Sequence, residues 1–342
     1  MNSSADKLKS VLLLLGFWVV FQLQSQGQEI TAYRFAENPV IKPEMLKNGD
    51  GANINGPSLI KVPDWIKSPL GKYYLYFAHH QGKYIRLAYA DNLKGPWKIY
   101  EKGTLKREDC FFDDGTNKLK VNHIASPDVL IDSEKKELVM YFHISAGKTP
   151  AGKPTPQVTL RATSKNGLDF QPATEILGES YFRVFKWENQ FFAMAKAGLY
   201  RSANGFSKFE KGPDTFLKIN ENNGDIHLRH LALLQKGNLM YIFYSRIGDA
   251  PEHIQYSKME LTGDWKSWVA TAPKSLLGPS KEYEGVAYPI KKSVSGASKT
   301  PVHELRDPAI FEEDGKTYLL YSVSGELGIA IAELRMNEGI KN

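Results

Sequence analysis

The stretch that decides the fold is His303-Glu-Leu-Arg-Asp-Pro-Ala-Ile-Phe-Glu-Glu-Asp-Gly-Lys-Thr-Tyr-Leu-Leu-Tyr-Ser-Val-Ser324. A charged segment leads into an apolar run, Ala309 to Phe311, and an aromatic-rich strand pattern follows from Thr317 to Val323. The Asp314-Gly315 pair between them favours the positive φ angles that a tight hairpin turn requires. The stretch therefore predicts a β-hairpin, and Gly328 to Leu334 predicts a third strand beside it.

The same order of segments occurs four more times upstream. The five copies begin near Pro57, Pro127, Ser180, Arg229 and Pro308. The spacing between them is irregular, but each interval is long enough for four strands and their loops. Radial repetition of four-stranded sheets around a channel is a β-propeller. The sequence therefore predicts an all-β, five-bladed β-propeller built as a single domain.

The last copy has no fourth strand pattern after Leu334. The N-terminal stretch Tyr33-Arg-Phe-Ala-Glu-Asn-Pro-Val-Ile41 has the composition of the missing strand. A strand from the start of the chain would close the ring and leave no open sheet edge in the last blade. We therefore expect Tyr33 to Ile41 to complete the fifth blade.

The N-terminus has the features of a signal peptide. Lys7 and Lys9 precede the apolar run Val11 to Phe21, and small residues near Ser25 and Gly27 offer a cleavage point. The run is too short for a convincing membrane span. We expect residues 1–27 to be removed and residues 28–342 to form the propeller, exported to the periplasm or the extracellular space, with no membrane span in the mature chain.

Charge and cysteine usage limit the classes of function. The formal net charge is +6 at pH 7, but the lysines are scattered and no basic stripe or nucleic-acid-binding module is present. This pattern argues against nucleic acid and favours a solvated surface with a mild preference for acidic partners. Cys110 is the only cysteine, so an intramolecular disulfide is excluded.

Polar residues concentrate where the predicted first strands begin and the second strands end. In a propeller these positions face the channel mouth, so five repeats should converge on one charged pocket. Seven of the eight histidines fall there, His253 being the exception. The residues that we expect to contact substrate are Asn55, His80, His123, His143, Arg229, His230, Arg246, His303 and Arg306.

Three carboxylates on three blades indicate glycoside hydrolysis. Two carboxyl groups on opposite sides of a sugar can protonate the leaving oxygen and activate water, and a third acid can raise the proton donor's pKa. Asp128, Glu179 and Asp307 are the candidates. In the structural alternative, the two aspartates hydrogen-bond backbone amides of neighbouring blades and Glu179 is a solvated loop residue.

The chain resembles the five-bladed propeller glycoside hydrolases, the group that contains family 43 and its relatives, families 32, 62, 68, 117 and 130. Arg306-Asp-Pro-Ala-Ile-Phe311 resembles the segment that bears the catalytic base, Ser126-Pro-Asp-Val129 the segment with the pKa-modulating acid, and Gly178-Glu-Ser-Tyr181 the segment with the general acid. The resemblance implies that Asp307 is the base, Asp128 the modulator and Glu179 the acid.

Two departures from the group's pattern leave alternatives open. The group usually carries its base in the first blade, where this chain has Asn55-Gly-Pro-Ser58, so Asp307 of the adjacent last blade would substitute for it. The related family 117 suggests that a histidine, His230 or His303, can replace Glu179 as the acid.

The leading hypothesis is therefore an exported, exo-acting glycoside hydrolase that removes a terminal sugar from plant or algal polysaccharide fragments. Arg229, Arg246 and Arg306 suggest a carboxylated or sulfated sugar, because guanidinium groups bind such groups in bidentate fashion. No cofactor or metal is assigned. The alternatives are a non-catalytic carbohydrate-binding propeller and a metal-assisted hydrolase that uses the axial histidines.

Overall fold

The computed structural model describes residues 30–80, 82–213 and 227–336. The chain divides into a large compact unit, residues 32–335, and a small one made of residues 1–31 and 336–342. Of the small unit only residues 30, 31 and 336 are described, as strand ends. The predicted signal segment, residues 1–27, lies outside the described residues. No helix among those residues is long and apolar enough to cross a membrane.

The described residues form strands and short 3-10 helices. The strands are β1 (Ile30–Arg34), β2 (Asn55–Lys61), β3 (Tyr73–Ala78), β4 (Tyr84–Ala90), β5 (Lys98–Lys106), β6 (Phe111–Asp113), β7 (Lys118–Lys120), β8 (His123–Asp132), β9 (Glu137–Ser145), β10 (Val158–Ser164), β11 (Gln171–Pro172), β12 (Gly178–Glu179), β13 (Arg183–Trp187), β14 (Gln190–Ala195), β15 (Gly198–Ser202), β16 (Glu210–Lys211), β17 (His227–Lys236), β18 (Leu239–Ile247), β19 (Ile254–Glu260), β20 (Lys274–Leu277), β21 (Leu305–Glu313), β22 (Lys316–Val323) and β23 (Ile329–Met336). The 3-10 helices are Pro43–Met45, Asp50–Ala52, Arg107–Asp109, Trp265–Ser267 and Glu282–Glu284.

These strands form the five predicted blades. The sheet orders are β2-β3-β4-β5, β8-β9-β10-β11 with β12 added beside β10, β13-β14-β15-β16, β17-β18-β19-β20, and β21-β22-β23-β1. We refer to them as blades one to five. The prediction of an all-β, five-bladed propeller is confirmed. The hairpin turn is also as predicted, with φ of 50° at Asp314 and 74° at Gly315.

The outer strand of blade five comes from the N-terminus but spans different residues from those predicted. It is Ile30–Arg34, whereas the sequence predicted Tyr33 to Ile41. Beyond Arg34 the chain keeps only isolated contacts with β23, such as Phe35 N donating to Ile331 O at 3.0 Å. Pro39 interrupts this stretch, and proline has no N–H to donate to a ladder.

Side chains that alternate between the two faces of each inner strand form the apolar core between neighbouring blades. Leu59 faces an apolar cluster shared with blade five, and its neighbour Ile60 faces a cluster shared with blade two. Successive side chains of a strand point to opposite faces, so each inner strand contributes to two clusters. Full burial of one aliphatic or aromatic side chain stabilises the folded state by about 1.5 to 3 kcal/mol relative to leaving it exposed. Cys110 is a buried free cysteine in the cluster between blades one and two.

Four of the five inner strands carry the same β-bulge. In blades one, two, four and five, two residues of the inner strand oppose one residue of the second strand, at 56–57, 126–127, 229–230 and 307–308. The first bulge residue has positive φ in three of them, Gly56, Ser126 and Asp307. In blade three the matching residue is Tyr181, with φ of 73°, two positions before Arg183 begins the paired strand. A bulge leaves its extra residue unpaired and redirects a side chain, and pairing resumes on either side of it.

Candidate active site

Side chains from all five blades meet in a continuous sequence of contacts around the axis, which we call the axial ring. Its members are His80, His123, His143, Tyr181, His230, Asp307 and Glu326. Successive ring centroids from His80 to His230 are 6.1, 5.3, 4.2 and 4.4 Å apart. His230 Nδ1 then lies 2.8 Å from Asp307 Oδ1, and Glu326 Oε2 lies 3.6 Å from His80 Nδ1. The predicted convergence of five repeats therefore exists, with these residues as its centre.

Asp307 and His230 form the most strongly interacting pair of the ring. Asp307 is buried, and its second oxygen is 3.4 Å from Ser322 Oγ. Burial disfavours the charged carboxylate, but the charges of His230, Arg229 and Arg306 outweigh that effect and hold the pKa of Asp307 well below its usual range. Asp307 is therefore ionised at neutral pH.

The Asp307–His230 contact is close but poorly aligned for a hydrogen bond. Neither Asp307 Oδ1 nor His230 Nδ1 makes a hydrogen bond of good geometry to another described residue, although both atoms are buried. Asp307 also holds φ at 50°, which costs a non-glycine residue about 1 to 3 kcal/mol. A buried, ionised carboxylate with free lone pairs and a strained backbone is typical of a binding or catalytic position.

His123 and His143 are the neutral members of the ring. Their Nε2 atoms are 3.3 Å apart, so one of them donates to the other when both are uncharged. Burial and the neighbouring histidines lower the pKa of His123 to about 4 and that of His143 well below its normal value. At neutral pH both rings are therefore uncharged and cannot act as imidazolium proton donors.

Glu326 anchors the blade-one side of the ring. Its carboxylate accepts hydrogen bonds from the Asn53 and Asn55 side-chain amides, the latter at 3.2 Å, and Arg306 Nη1 donates to it at 3.1 Å. Burial opposes ionisation, but contacts with His80 and Arg306 leave the pKa of Glu326 lowered. Asn55, predicted to contact substrate, is thus engaged in supporting a carboxylate.

The three predicted arginines are each paired with internal carboxylates. Arg229 donates to both oxygens of Glu252 at 2.7 and 2.9 Å, Arg246 donates to both oxygens of Asp249 at 3.0 and 2.9 Å, and Arg306 contacts Glu304 and Glu326. With Asp307, the carboxylates of this region outnumber its arginines. The guanidinium groups are therefore occupied by internal carboxylates, and they do not support the expectation that this site binds an acidic sugar.

Asp128 lies between blades two and three. Its Oδ2 accepts a hydrogen bond from Val184 N at 3.1 Å, and Arg183 Nη1 is 3.9 Å from its other oxygen. Burial raises the pKa of Asp128, while Arg183 and the Val184 amide oppose that rise. This is the bonding pattern of the structural alternative. Within the described part of the chain, Asp128 forms no hydrogen bond or ion pair with Asp307 or His230.

Glu179 lies outside the axial ring. Its carboxylate accepts from Lys211 Nζ at 2.7 Å, and its side chain is 49% exposed. Lys211 belongs to the outermost strand of blade three. The structure therefore does not bring Glu179 together with Asp307. β12 pairs with the edge of β10, and the Glu179 side chain contacts the outermost strand of blade three.

His303 precedes β21 at the same end of the propeller. Its Nδ1 lies 3.2 Å from the carbonyl oxygen of Tyr288, and this oxygen can only accept. His303 therefore carries its proton on Nδ1 in that contact when it is neutral. Among the described residues, no group of three or more histidine, cysteine, aspartate or glutamate side chains is arranged to hold a metal ion.

The sequence-based site omitted Tyr181. Its ring lies between His143 and His230, and burial together with the charge of Asp307 raises the pKa of its hydroxyl to about 12. The signal that could have found it is register: Tyr181 occupies in blade three the position that Asp307 occupies in blade five. Glu326, Glu252 and Ser322 were also left out, although Glu326 follows a second strand as several predicted residues do.

The fold is shared with glycoside hydrolases of known structure. No protein-family profile matches the chain. A family 130 structure is described as belonging to mannoside phosphorylases that include hydrolases of β-1,2-mannosidic linkages in Candida mannan; it is 12% identical, with a TM-score of 0.61 over 90% of this chain and 94% of that one. A thermostable family 43 glycoside hydrolase is 13% identical, with a TM-score of 0.52 over 84% and 91%. These neighbours confirm the predicted fold, the five-bladed propeller of glycoside hydrolases.

One relative is much closer in sequence. Uncharacterized protein R118 of Acanthamoeba polyphaga mimivirus is 36% identical over 351 residues, which cover 96% of this chain and 97% of that protein. The chain belongs to the same family as R118.

Proposed function

We propose that this protein is a glycoside hydrolase in which the Asp307–His230 pair carries out proton transfer at the axial ring. The observation that carries the proposal is the 2.8 Å contact between a histidine of blade four and a buried, ionised aspartate of blade five. The shared fold with glycoside hydrolases supports the reaction class. Removal of a terminal sugar, export and action on plant or algal polysaccharide fragments remain part of the proposal.

The contact changes the division of roles expected from sequence. An acid and a base that act on opposite sides of a glycosidic bond are about 6.5 to 9.5 Å apart in inverting enzymes. Asp307 and His230 are in contact, so they act together. Asp307 orients the imidazole and stabilises its charged form, and His230 protonates the leaving oxygen, while water adds to the anomeric carbon and releases a proton to solvent. The side chain of His230 is 11% exposed, which leaves it accessible to substrate.

Elimination supports His230 as the proton donor. Asp307 and Glu326 have lowered pKa values and are ionised at neutral pH, whereas His123 and His143 are neutral there. Glu179 is paired with Lys211 on the outermost strand of blade three. His80, His230 and His303 remain. His80 lies 3.6 Å from the Glu326 carboxylate and His230 lies 2.8 Å from that of Asp307, and the closer contact favours His230.

The surrounding charges suit the transition state of glycoside hydrolysis. Positive charge develops on the sugar ring as the bond breaks. A site whose carboxylates outnumber its arginines stabilises that charge, because preorganised charges act strongly away from bulk water.

The leaving group tests the role of His230. His230→Gln should lower turnover of methyl glycosides about 10²- to 10⁴-fold, the usual range for loss of general acid catalysis. Dinitrophenyl glycosides of the same sugar need little protonation and should lose much less. His303→Gln is the matched control and should reduce both substrates equally or neither.

Three outcomes would contradict the proposal. Equal losses on both substrates in His230→Gln would exclude His230 as the acid. Leaving-group dependence that appears only in His303→Gln would move the role to His303. Binding of oligosaccharides by the wild-type protein without turnover on any of them would favour the carbohydrate-binding propeller.

A further inference from the structure

Two segments at the axial end carry lysines and no acidic residue. Residues 146–157 contain Lys148 and Lys153, and residues 285–303 contain Lys291, Lys292 and Lys299. All five side chains are exposed. We call these five residues the basic rim.

The basic rim lies at the same end of the propeller as the axial ring. Residues 146–157 connect β9, which carries His143, to β10. Residues 285–303 are fastened beside the axial ring: Arg229 Nη2 donates to Val294 O at 2.8 Å, and Ser293 N donates to Asp249 O at 3.0 Å. Both segments therefore border the entrance to the proposed active site.

The charges of the rim are available for a ligand. None of the five lysines forms an ion pair with another residue in the described ranges 30–80, 82–213 and 227–336. Acidic residues of nearby mouth loops are already occupied, Asp249 by Arg246 and Glu252 by Arg229. Unpaired charges of one sign around an opening produce a field that attracts ligands of the opposite sign.

Exposed apolar side chains alternate with the lysines of the second segment. Tyr288 is 42% exposed, Ile290 58% and Val294 66%, and Lys291 and Lys292 lie between them. A sugar ring presents an apolar C–H face that packs on such side chains, as on aromatic rings. A sulfate or carboxylate on the same sugar would contact the adjacent ammonium groups. Rim composition thus fits a charged sugar better than an isolated inorganic anion.

We propose that the basic rim binds sulfated or carboxylated sugars of a polysaccharide whose uncharged terminal sugar occupies the axial ring. This inference rests on the proposed function for the assignment of the axial ring, and it divides recognition into two parts. The inner site has more carboxylates than arginines and suits an uncharged sugar. The rim supplies affinity for the anionic chain that follows.

Binding should be measured on the purified chain without reference to turnover. The probes are κ-carrageenan and polygalacturonate oligosaccharides as anions and laminarin oligosaccharides as neutral glycans, each at low and high salt. The combined variant Lys291→Glu, Lys292→Glu and Lys299→Glu should weaken anion binding by about tenfold or more, since field-driven association depends on these charges. Added salt should weaken wild-type binding as well, because it screens exposed charges.

A matched control changes the same net charge at the opposite end of the propeller. Lys67, Lys208 and Lys316 are exposed. Lys67 and Lys208 lie in loops that join a first to a second strand and a third to a fourth strand, and Lys316 begins β22 beside the turn from β21. Their combined change to Glu should alter anion binding by less than about twofold. These lysines are at the opposite end from the basic rim, farther from it than the screening length of about 8 Å. Neutral laminarin fragments should be unaffected by both variants.

Several results would overturn the inference. Equal losses in the two charge variants would show a non-specific effect of net charge. Binding to phosphatidylglycerol vesicles or DNA as strong as binding to the glycans would assign the rim to another partner. A protein that hydrolyses neutral glycosides but binds no anionic glycan would refute the rim alone, whereas rim-dependent binding without any hydrolysis would refute the proposed function alone.

Discussion

Blades two and five carry an aspartate beside the same kind of proline bulge, and the two aspartates have different surroundings. In blade two the acid follows Pro127, and in blade five it precedes Pro308. Asp128 hydrogen-bonds Val184 N of the next blade, while Asp307 contacts His230 in the axial ring. Their pKa values shift in opposite directions, that of Asp128 upward and that of Asp307 downward.

The position relative to the bulge explains the difference. Asp307 at the first bulge position of blade five, and Tyr181 at the matching position of blade three, have positive φ and their side chains enter the axial ring. The residue that resumes pairing directs its side chain to the neighbouring blade. Ser58, which matches Asp128 in blade one, accepts from Val129 N at 2.9 Å in the same way. Two positions along one strand therefore separate a candidate catalytic carboxylate from an inter-blade contact.

The largest expected effect is on catalysis. Asp307→Asn should lower turnover by about 10³-fold or more, because an amide cannot stabilise a charged His230. Steady-state kinetics on the same glycoside, with circular dichroism as a folding check, would measure this. Glu179→Gln is the control: it removes a surface ion pair worth less than about 1 kcal/mol and should leave turnover unchanged. Wild-type turnover in Asp307→Asn would remove Asp307 from the mechanism.

The second effect concerns stability. Asp128→Ala should lower the free energy of unfolding by about 1 to 3 kcal/mol, because it leaves the Val184 N–H without its acceptor. Ser58→Ala should act in the same way on Val129 N, by about 1 kcal/mol. Urea denaturation would measure both losses. If Asp128→Ala is as stable as the wild-type protein but inactive, the comparison fails and Asp128 returns to the catalytic site.

The smallest effect is on pH dependence, and its sign separates the two acids. Asp307 has a lowered folded-state pKa, so its contribution to stability is present above about pH 4 and is lost as the pH falls further. Asp128 has a raised folded-state pKa, so its contribution to stability is present below about pH 4 and is lost as the pH rises through that folded-state pKa. Each unit of pKa shift corresponds to about 1.4 kcal/mol.

Denaturation curves between about pH 3 and pH 6 would test those signs. On lowering the pH, the stability difference between wild type and Asp307→Asn should shrink, and that between wild type and Asp128→Asn should grow. Ser58→Ala removes no titratable group and should show a constant difference. Slopes of the same sign for the two aspartate variants would contradict the distinction drawn between their environments.

The fold was predictable because it depends on local patterns. The hairpin of Asp314 and Gly315, the repeated apolar strands and the gathering of histidines all follow from short-range sequence order. The direction of individual side chains was harder to predict. Asp128 follows its proline and Asp307 precedes its proline, but the consequence of that order for the two side chains depends on the register of each bulge against its second strand, which is a contact between distant residues.

Glu179 and the closing strand illustrate the same limit. The Gly178-Glu-Ser-Tyr181 segment was correctly placed near the axis, but Tyr181 points inward there and Glu179 pairs with Lys211. The outer strand of blade five ends at Arg34 and not at Ile41 as expected, and Pro39 in the stretch that follows has no N–H to donate to a ladder. Predictions on the signal segment, export and cofactors stay predictions.

The shared bulge also makes the propeller a scaffold with interchangeable sockets. One equivalent position is occupied by Gly56, Ser126, Tyr181, Arg229 and Asp307 in the five blades. The strand pairing resumes just beyond each of them, so the ladder does not depend on which side chain is present. A single codon change at one of the four non-glycine positions can therefore exchange the chemistry of one wall while the others keep theirs, which allows new specificities to be explored blade by blade. Gly56 is the exception, because a Cβ there would lie 3.0 Å from Ser126 Oγ.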